Sequence, residues 1–115
     1  MATLLIVDDN AEMRRLMRQV AAESDDLVIE CADGDEVLDS YAEHRPDWVL
    51  MDVEMKRVDG LTATSILTRR YPEAKVVIVT KYTDDETRRA AQESGALYFL
   101  GKDEIFTLRT LIREH

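Results

Sequence analysis

Residues 4–10 read LLIVDDN, four apolar residues that run straight into two adjacent carboxylates, Asp8 and Asp9. A strand with no polar face is one covered on both sides, as in a parallel sheet sandwiched between helices. Four more short runs of this kind follow: LVIEC (27–31), WVLM (48–51), KVVIV (75–79) and LYFL (97–100). The segments between them have helical spacing. Met13, Leu16, Met17 and Val20 make one stripe of 11–24; Val37, Leu38 and Tyr41 mark 34–43; Leu61, Ile66 and Leu67 mark 60–70. Segment 84–94 is polar with Ala90 and Ala91 turned inward, and 104–114 carries Ile105, Leu108, Leu111 and Ile112. Strand and helix thus alternate five times, which predicts right-handed crossovers and an α/β fold: a doubly wound parallel sheet of five strands with five helices.

At 115 residues the chain is read as one domain, 1–115. Lys+Arg 15 against Asp+Glu 24 give a net charge of -9, which argues against direct nucleic-acid binding because phosphates need a basic face. The single cysteine, Cys31, excludes an internal disulfide and reads as core filler in a reducing compartment. No apolar stretch approaches the ~20 residues that cross a bilayer, and residues 1–10 lack the charged start of a signal peptide. The expectation is a soluble, cytoplasmic protein without a membrane partner.

In a doubly wound sheet, function collects at the carboxyl ends of the strands. Strand one ends in Asp8 and Asp9, strand three in Asp52 and strand four in Thr80, while Lys102 follows strand five. Asp8 and Asp9 before a helix could simply satisfy its free N–H groups, with Asn10 as its cap. Five such groups converging on one sheet edge call for more. Crowded carboxylates repel unless protonated or bridged by a cation, and an all-oxygen set of this kind suits Mg²⁺. His44 and His115 stand outside this set and read as surface residues; the four glycines form no nucleotide-binding loop.

The ordered motifs VDDN, VLMDVEM, Asp59-Gly60, VVIVTKY and GALYFLGKD resemble the response-regulator receiver domain of two-component signalling over essentially the whole chain. The resemblance implies the (βα)5, flavodoxin-like or CheY-like architecture with strand order 2-1-3-4-5. It implies that Asp52 accepts a phosphoryl group from a phosphohistidine of a sensor histidine kinase or phosphotransfer protein. Asp8, Asp9, Asp52 and the backbone carbonyl of Glu54 would hold Mg²⁺, and Lys102 would neutralise the transferring oxygens. Thr80 would bond the arriving phosphoryl group, and Phe99 would be the aromatic switch that fills the space Thr80 leaves. The domain would then be a phosphoacceptor that assists its own phosphorylation and dephosphorylation rather than a turnover enzyme. It would act on a downstream protein or an output domain, with homodimerisation through helix 4, strand 5 and helix 5.

Four positions depart from the family pattern: Asp103 and Lys56 where proline is common, Lys81 where a small residue is usual, and Glu54 two beyond Asp52. Asp103 means that a cis-proline turn is not required there, and Lys-Asp at this point resembles receivers attached to LuxR-type DNA-binding domains. Lys81 and Glu54 are expected to pair across the mouth of the site as a partial lid. Asp9→Ala is expected to weaken Mg²⁺ binding while relieving carboxylate repulsion. Two rival readings are a pseudo-receiver that binds a partner without phosphorylation, and a small Mg²⁺-dependent phosphatase with Glu54 as its acid-base carboxylate.

Overall fold

The strands and helices of the computed structural model, which describes residues 1–114, follow the expected alternation. The order is β1 (Thr3–Val7), α1 (Ala11–Ala21), β2 (Leu27–Cys31), α2 (Val37–His44), β3 (Trp48–Met51), α3 (Gly60–Arg70), β4 (Val76–Thr80), α4 (Asp85–Glu93), β5 (Tyr98–Gly101) and α5 (Leu108–Arg113). All strand pairs are parallel, in the order β2-β1-β3-β4-β5. His115 and its reading as a surface residue lie outside the described residues; His44 is half-buried beside Glu43.

Side chains on a strand alternate between faces, and here each face has its own core. Leu4, Ile6, Trp48, Leu50, Val77 and Val79 meet Met17 and Ala21 of α1 together with Ile105, Leu108 and Ile112. Leu5, Val7, Val49, Met51, Val76 and Ile78 meet Val37 and Tyr41 of α2, Ala63 and Leu67 of α3 and Ala91 of α4. Both faces of β1, β3 and β4 are covered, which is why these strands carry no polar side, whereas the edge strand β2 exposes Leu27 and Glu30. Cys31 is buried in the second of these cores, and burial raises its thiol pKa.

The starts of α1, α3 and α4 follow the sequence closely, whereas residues 34–36 are wound as 3₁₀ and α2 begins only at Val37. Asn10, Asp59 and Asp84 each accept a hydrogen bond from the N–H three residues on, so 84 is the cap of α4 rather than its first residue. Strands β4 and β5 each sit one residue later than expected. The largest departure is at the end of the chain. Residues 102–107 form a tighter 3₁₀ stretch with Glu104 off helical geometry (φ -106°, ψ 16°), and α5 itself begins only at Leu108. The Thr107 hydroxyl donates to the Glu104 carbonyl at 2.8 Å, a local bond that competes with the α-helical ladder. Among the described residues every peptide bond is trans, including Lys102–Asp103.

The registers place the site. Val7 lies beside Met51, so Asp8 and Asp52, the next residue of each strand, emerge side by side. Thr80 lies beside Gly101, so Lys102 leaves the sheet next to it.

Candidate functional site

Asp8 is fully buried just beyond β1. Its N–H donates to the Cys31 carbonyl at 3.1 Å and its Oδ1 accepts from the Asn10 N–H at 2.9 Å. Asp52 is 5% exposed, its N–H bonded to the Val7 carbonyl at 2.9 Å. Lys102 reaches between them, its Nζ 3.2 Å from Asp8 Oδ2 and 3.3 Å from Asp52 Oδ1. Asp9 stands exposed at the rim. Burial, reinforced by the Asp8 charge and opposed by Lys102, pushes the Asp52 pKa up to about 6. Burial works against the Lys102 charge, but Asp52 and Asp8 outweigh it and raise the ammonium pKa.

Asp8, Asp9 and Asp52 each bring one carboxylate oxygen within 4.8 Å of the others. Three carboxylates face one ammonium, and the buried Asp8 Oδ2 has no hydrogen-bond partner beyond that ion pair. An orphaned buried oxygen in an oxygen-only set with excess negative charge fits a hard divalent cation. Because Asp9 is exposed, the repulsion is chiefly between Asp8 and Asp52. Relief of repulsion is therefore expected to be larger for a substitution at Asp52 than for Asp9→Ala.

Thr80 is fully buried at the end of β4, and its Oγ1 accepts the Tyr82 N–H at 3.1 Å. Phe99 is half-buried against the α2–α4 core, with the Arg88 guanidinium carbon 4.6 Å from its ring centroid. The mouth of the site is a pocket of about 170 Å³ lined by the carboxylates, Lys102, Glu54, Lys81 and Tyr82.

The expected Lys81–Glu54 pair is not among the ion pairs of the described residues. Tyr82 takes that place: its hydroxyl donates to Glu54 Oε2 at 2.7 Å, while Lys81 Nζ lies 5.3 Å from the Tyr82 ring centroid. A rigid phenol spans the mouth and offers a directional donor, whereas Lys81 would give up side-chain freedom for an exposed ion pair of ~0.2–1 kcal/mol. In the sequence Tyr82 is legible only as an aromatic two residues beyond the strand-end threonine.

Sequence reasoning also missed Asp33, which holds the loop after Asp52. Its Oδ1 accepts the N–H groups of Val58 (2.9 Å) and Asp35 (3.2 Å), and its Oδ2 that of Arg57 (2.9 Å). Burial alone would raise the Asp33 pKa, but these donors together hold it below the ordinary carboxylate value. Its contribution is therefore complete above the ordinary carboxylate range and is lost as pH falls through the lowered folded value. Asp33→Ala is expected to destabilise by about 2 kcal/mol at pH 7, since it leaves three amide donors without their acceptor, and by progressively less in acid. Urea melts of both proteins from pH 7 down to pH 3 check this; a difference that grows in acid contradicts the clamp.

A family model described as a response regulator receiver domain matches residues 4–113. The chain is 32% identical over 99 residues to the chemotaxis protein CheY of Halobacterium salinarum, covering 86% of this chain and 82% of that one. It is 33% identical over 102 residues to the transcriptional regulatory protein YhcZ of Bacillus subtilis, covering 87% of this chain but only 48% of YhcZ, about half its length. The crystal structure of Vibrio cholerae chemotaxis protein CheY4 superposes with a TM-score of 0.87 at 26% identity, covering 98% of both chains.

Proposed function

Because this chain belongs to the response-regulator receiver family, we propose that it is a phosphoacceptor switch in which Asp52 takes a phosphoryl group from a phosphohistidine on a sensor kinase or phosphotransfer protein. The observation that carries this reading is the Lys102 ammonium lying 3.2 and 3.3 Å from the buried carboxylates of Asp8 and Asp52.

An Asp52 oxygen attacks phosphorus in line. The new O–P bond forms as the P–N bond to the donor imidazole breaks, and the electron pair stays on the imidazole nitrogen, which is protonated from solvent. Asp8, Asp9, Asp52 and the Glu54 carbonyl would hold Mg²⁺, which when bound supplies charge neutralisation for the phosphoryl oxygens. Lys102, already placed against Asp52, donates to one of those oxygens. Thr80 accepts from Tyr82 but keeps its own hydroxyl hydrogen, which is free to be donated to another. Drawing Thr80 inward opens space for Phe99, and that ring must first leave Arg88. The signal then passes through α4, β5 and α5 to a partner protein or output domain, or to a second copy of the chain, in the cytoplasm.

Incubation with acetyl phosphate and Mg²⁺ followed by intact mass should show one added phosphoryl group. No adduct would favour a pseudo-receiver, and steady turnover of a phosphomonoester would favour a phosphatase. The Tyr82–Glu54 bond crosses the path to Asp52. Tyr82→Phe, which loses a bond of ~0.5–1.5 kcal/mol, is expected to speed both labelling and hydrolysis two- to tenfold. Lys81→Ala should change either rate less than twofold, and rates in Tyr82→Phe equal to wild type would discard the strap.

A further inference from the structure

Arg14 lies on α1, outside the pocket of carboxylates, with its side chain 18% exposed. Its Nη1 donates to the backbone carbonyl of Asp8 at 2.7 Å and its Nε to Glu30 Oε1 on β2 at 2.8 Å. Glu30 Oε2 in turn takes Arg18 Nη2 at 2.9 Å, so both guanidinium groups of this α1 face are tied to one carboxylate of the edge strand. Arginine and carboxylate hold each other in a fixed geometry that a lysine does not reproduce.

The Asp8 carbonyl belongs to the peptide plane that joins Asp8 to Asp9. On the Asp8 side the chain is already fixed by its N–H bond to Cys31 and its side-chain bond to Asn10. On the Asp9 side, no described residue donates to the exposed carboxylate, and the orientation of that peptide plane decides where it points. We infer that Arg14 is a positioning residue for the cation site, orienting the Asp9 carboxylate by gripping the Asp8–Asp9 peptide; this rests on reading Asp8, Asp9 and Asp52 as the Mg²⁺ ligands.

Two effects of Arg14 on a bound cation have opposite signs. As a nearby positive charge it repels Mg²⁺, so its removal should tighten binding. As a positioner it supports the ligands, and losing such support commonly weakens metal affinity by about ten-fold or more at sites built on it. The direction of the change therefore separates the roles.

The experiment is calorimetric titration of Mg²⁺ into wild type, Arg14→Gln and Arg14→Lys at pH 7.5, with thermal melts in EDTA alongside. Weaker binding, by about three- to tenfold, is expected in both variants, because the lysine keeps the charge but cannot hold Glu30 and the Asp8 carbonyl together. Unchanged or tighter binding in Arg14→Gln overturns the inference, as does full recovery in Arg14→Lys. Should Arg14→Gln fail to fold, the lysine variant alone decides by the same criterion. A wild type that binds no Mg²⁺ overturns the metal-site reading and this inference with it, whereas normal wild-type binding with unaffected variants overturns this inference alone.

Discussion

Asp52→Asn is expected to lose phosphoryl labelling completely and, without metal, to be more stable than wild type at neutral pH. The amide keeps the shape of the carboxyl group but is not a competent nucleophile. The stability gain follows from the crowding: Asp52 is nearly buried against Asp8, and its pKa stands near 6 rather than near 3.8. Between those values the folded protein holds a proton that the unfolded chain has released. Wild-type stability therefore declines as pH rises through that window and levels off above it. The full decline corresponds to at most about 3 kcal/mol, and roughly 1 kcal/mol of it falls above pH 5. Urea melts in EDTA should show Asp52→Asn gaining on wild type from pH 5 to pH 7.5, and Mg²⁺ should reverse the order. Retained labelling in this variant would remove Asp52 from the acceptor role, and a metal-free variant no more stable than wild type at pH 7.5 would remove the crowding.

Gly60→Ala should be among the most damaging single substitutions on this edge of the sheet. A Cβ at Gly60 would stand 1.8 Å from the Asp52 carbonyl oxygen and 2.9 Å from Met51 Cγ, and the first of these is backbone that no rotamer change can move. The Gly60 N–H also donates to the Val53 carbonyl at 2.8 Å, so helix α3 starts in direct contact with the end of β3. Relief requires displacing α3 or the Asp52 peptide itself. The expected loss is about 3 kcal/mol, or on the order of 10 °C in melting temperature, with slower labelling in whatever remains folded. A melting temperature within about 3 °C of wild type, the shift that less than 1 kcal/mol would produce in a domain of this size, would mean that the loop yields without strain.

The strands and the reactive groups were legible because both depend on local pattern. Apolar runs identify covered strands, and a charged or hydroxyl residue directly after three of them, with Lys102 two residues after a fourth, identifies the edge on which the polar groups gather. What escaped depends on partners far apart in sequence. Asp33 supports residues 57 and 58, and Tyr82 reaches Glu54 across 28 positions. Nothing in the local pattern distinguishes these two from ordinary surface residues. Lys81 had the right charge to meet Glu54, yet the neighbouring phenol had the better geometry. The segment after Lys102 was misread for another reason: Ile105, Leu108 and Ile112 do face one core, but an apolar stripe does not register that its first turn is wound as 3₁₀.

On the proposed reading, the two cores on opposite sides of the sheet would serve as an input layer and an output layer. Asp8 and Asp52 continue the alternation of Leu4, Ile6, Trp48 and Leu50, on the side of α1 and α5. Thr80 continues that of Val76 and Ile78, whose core Phe99 joins on the other side. Among the strand-end groups of the site, the threonine hydroxyl would thus be the point at which an event in one layer is handed to the other. Substitutions in the first layer should alter how fast the acceptor is loaded, those in the second should alter what a loaded acceptor does, and pairs drawn from opposite layers should combine additively unless Thr80 is one of them.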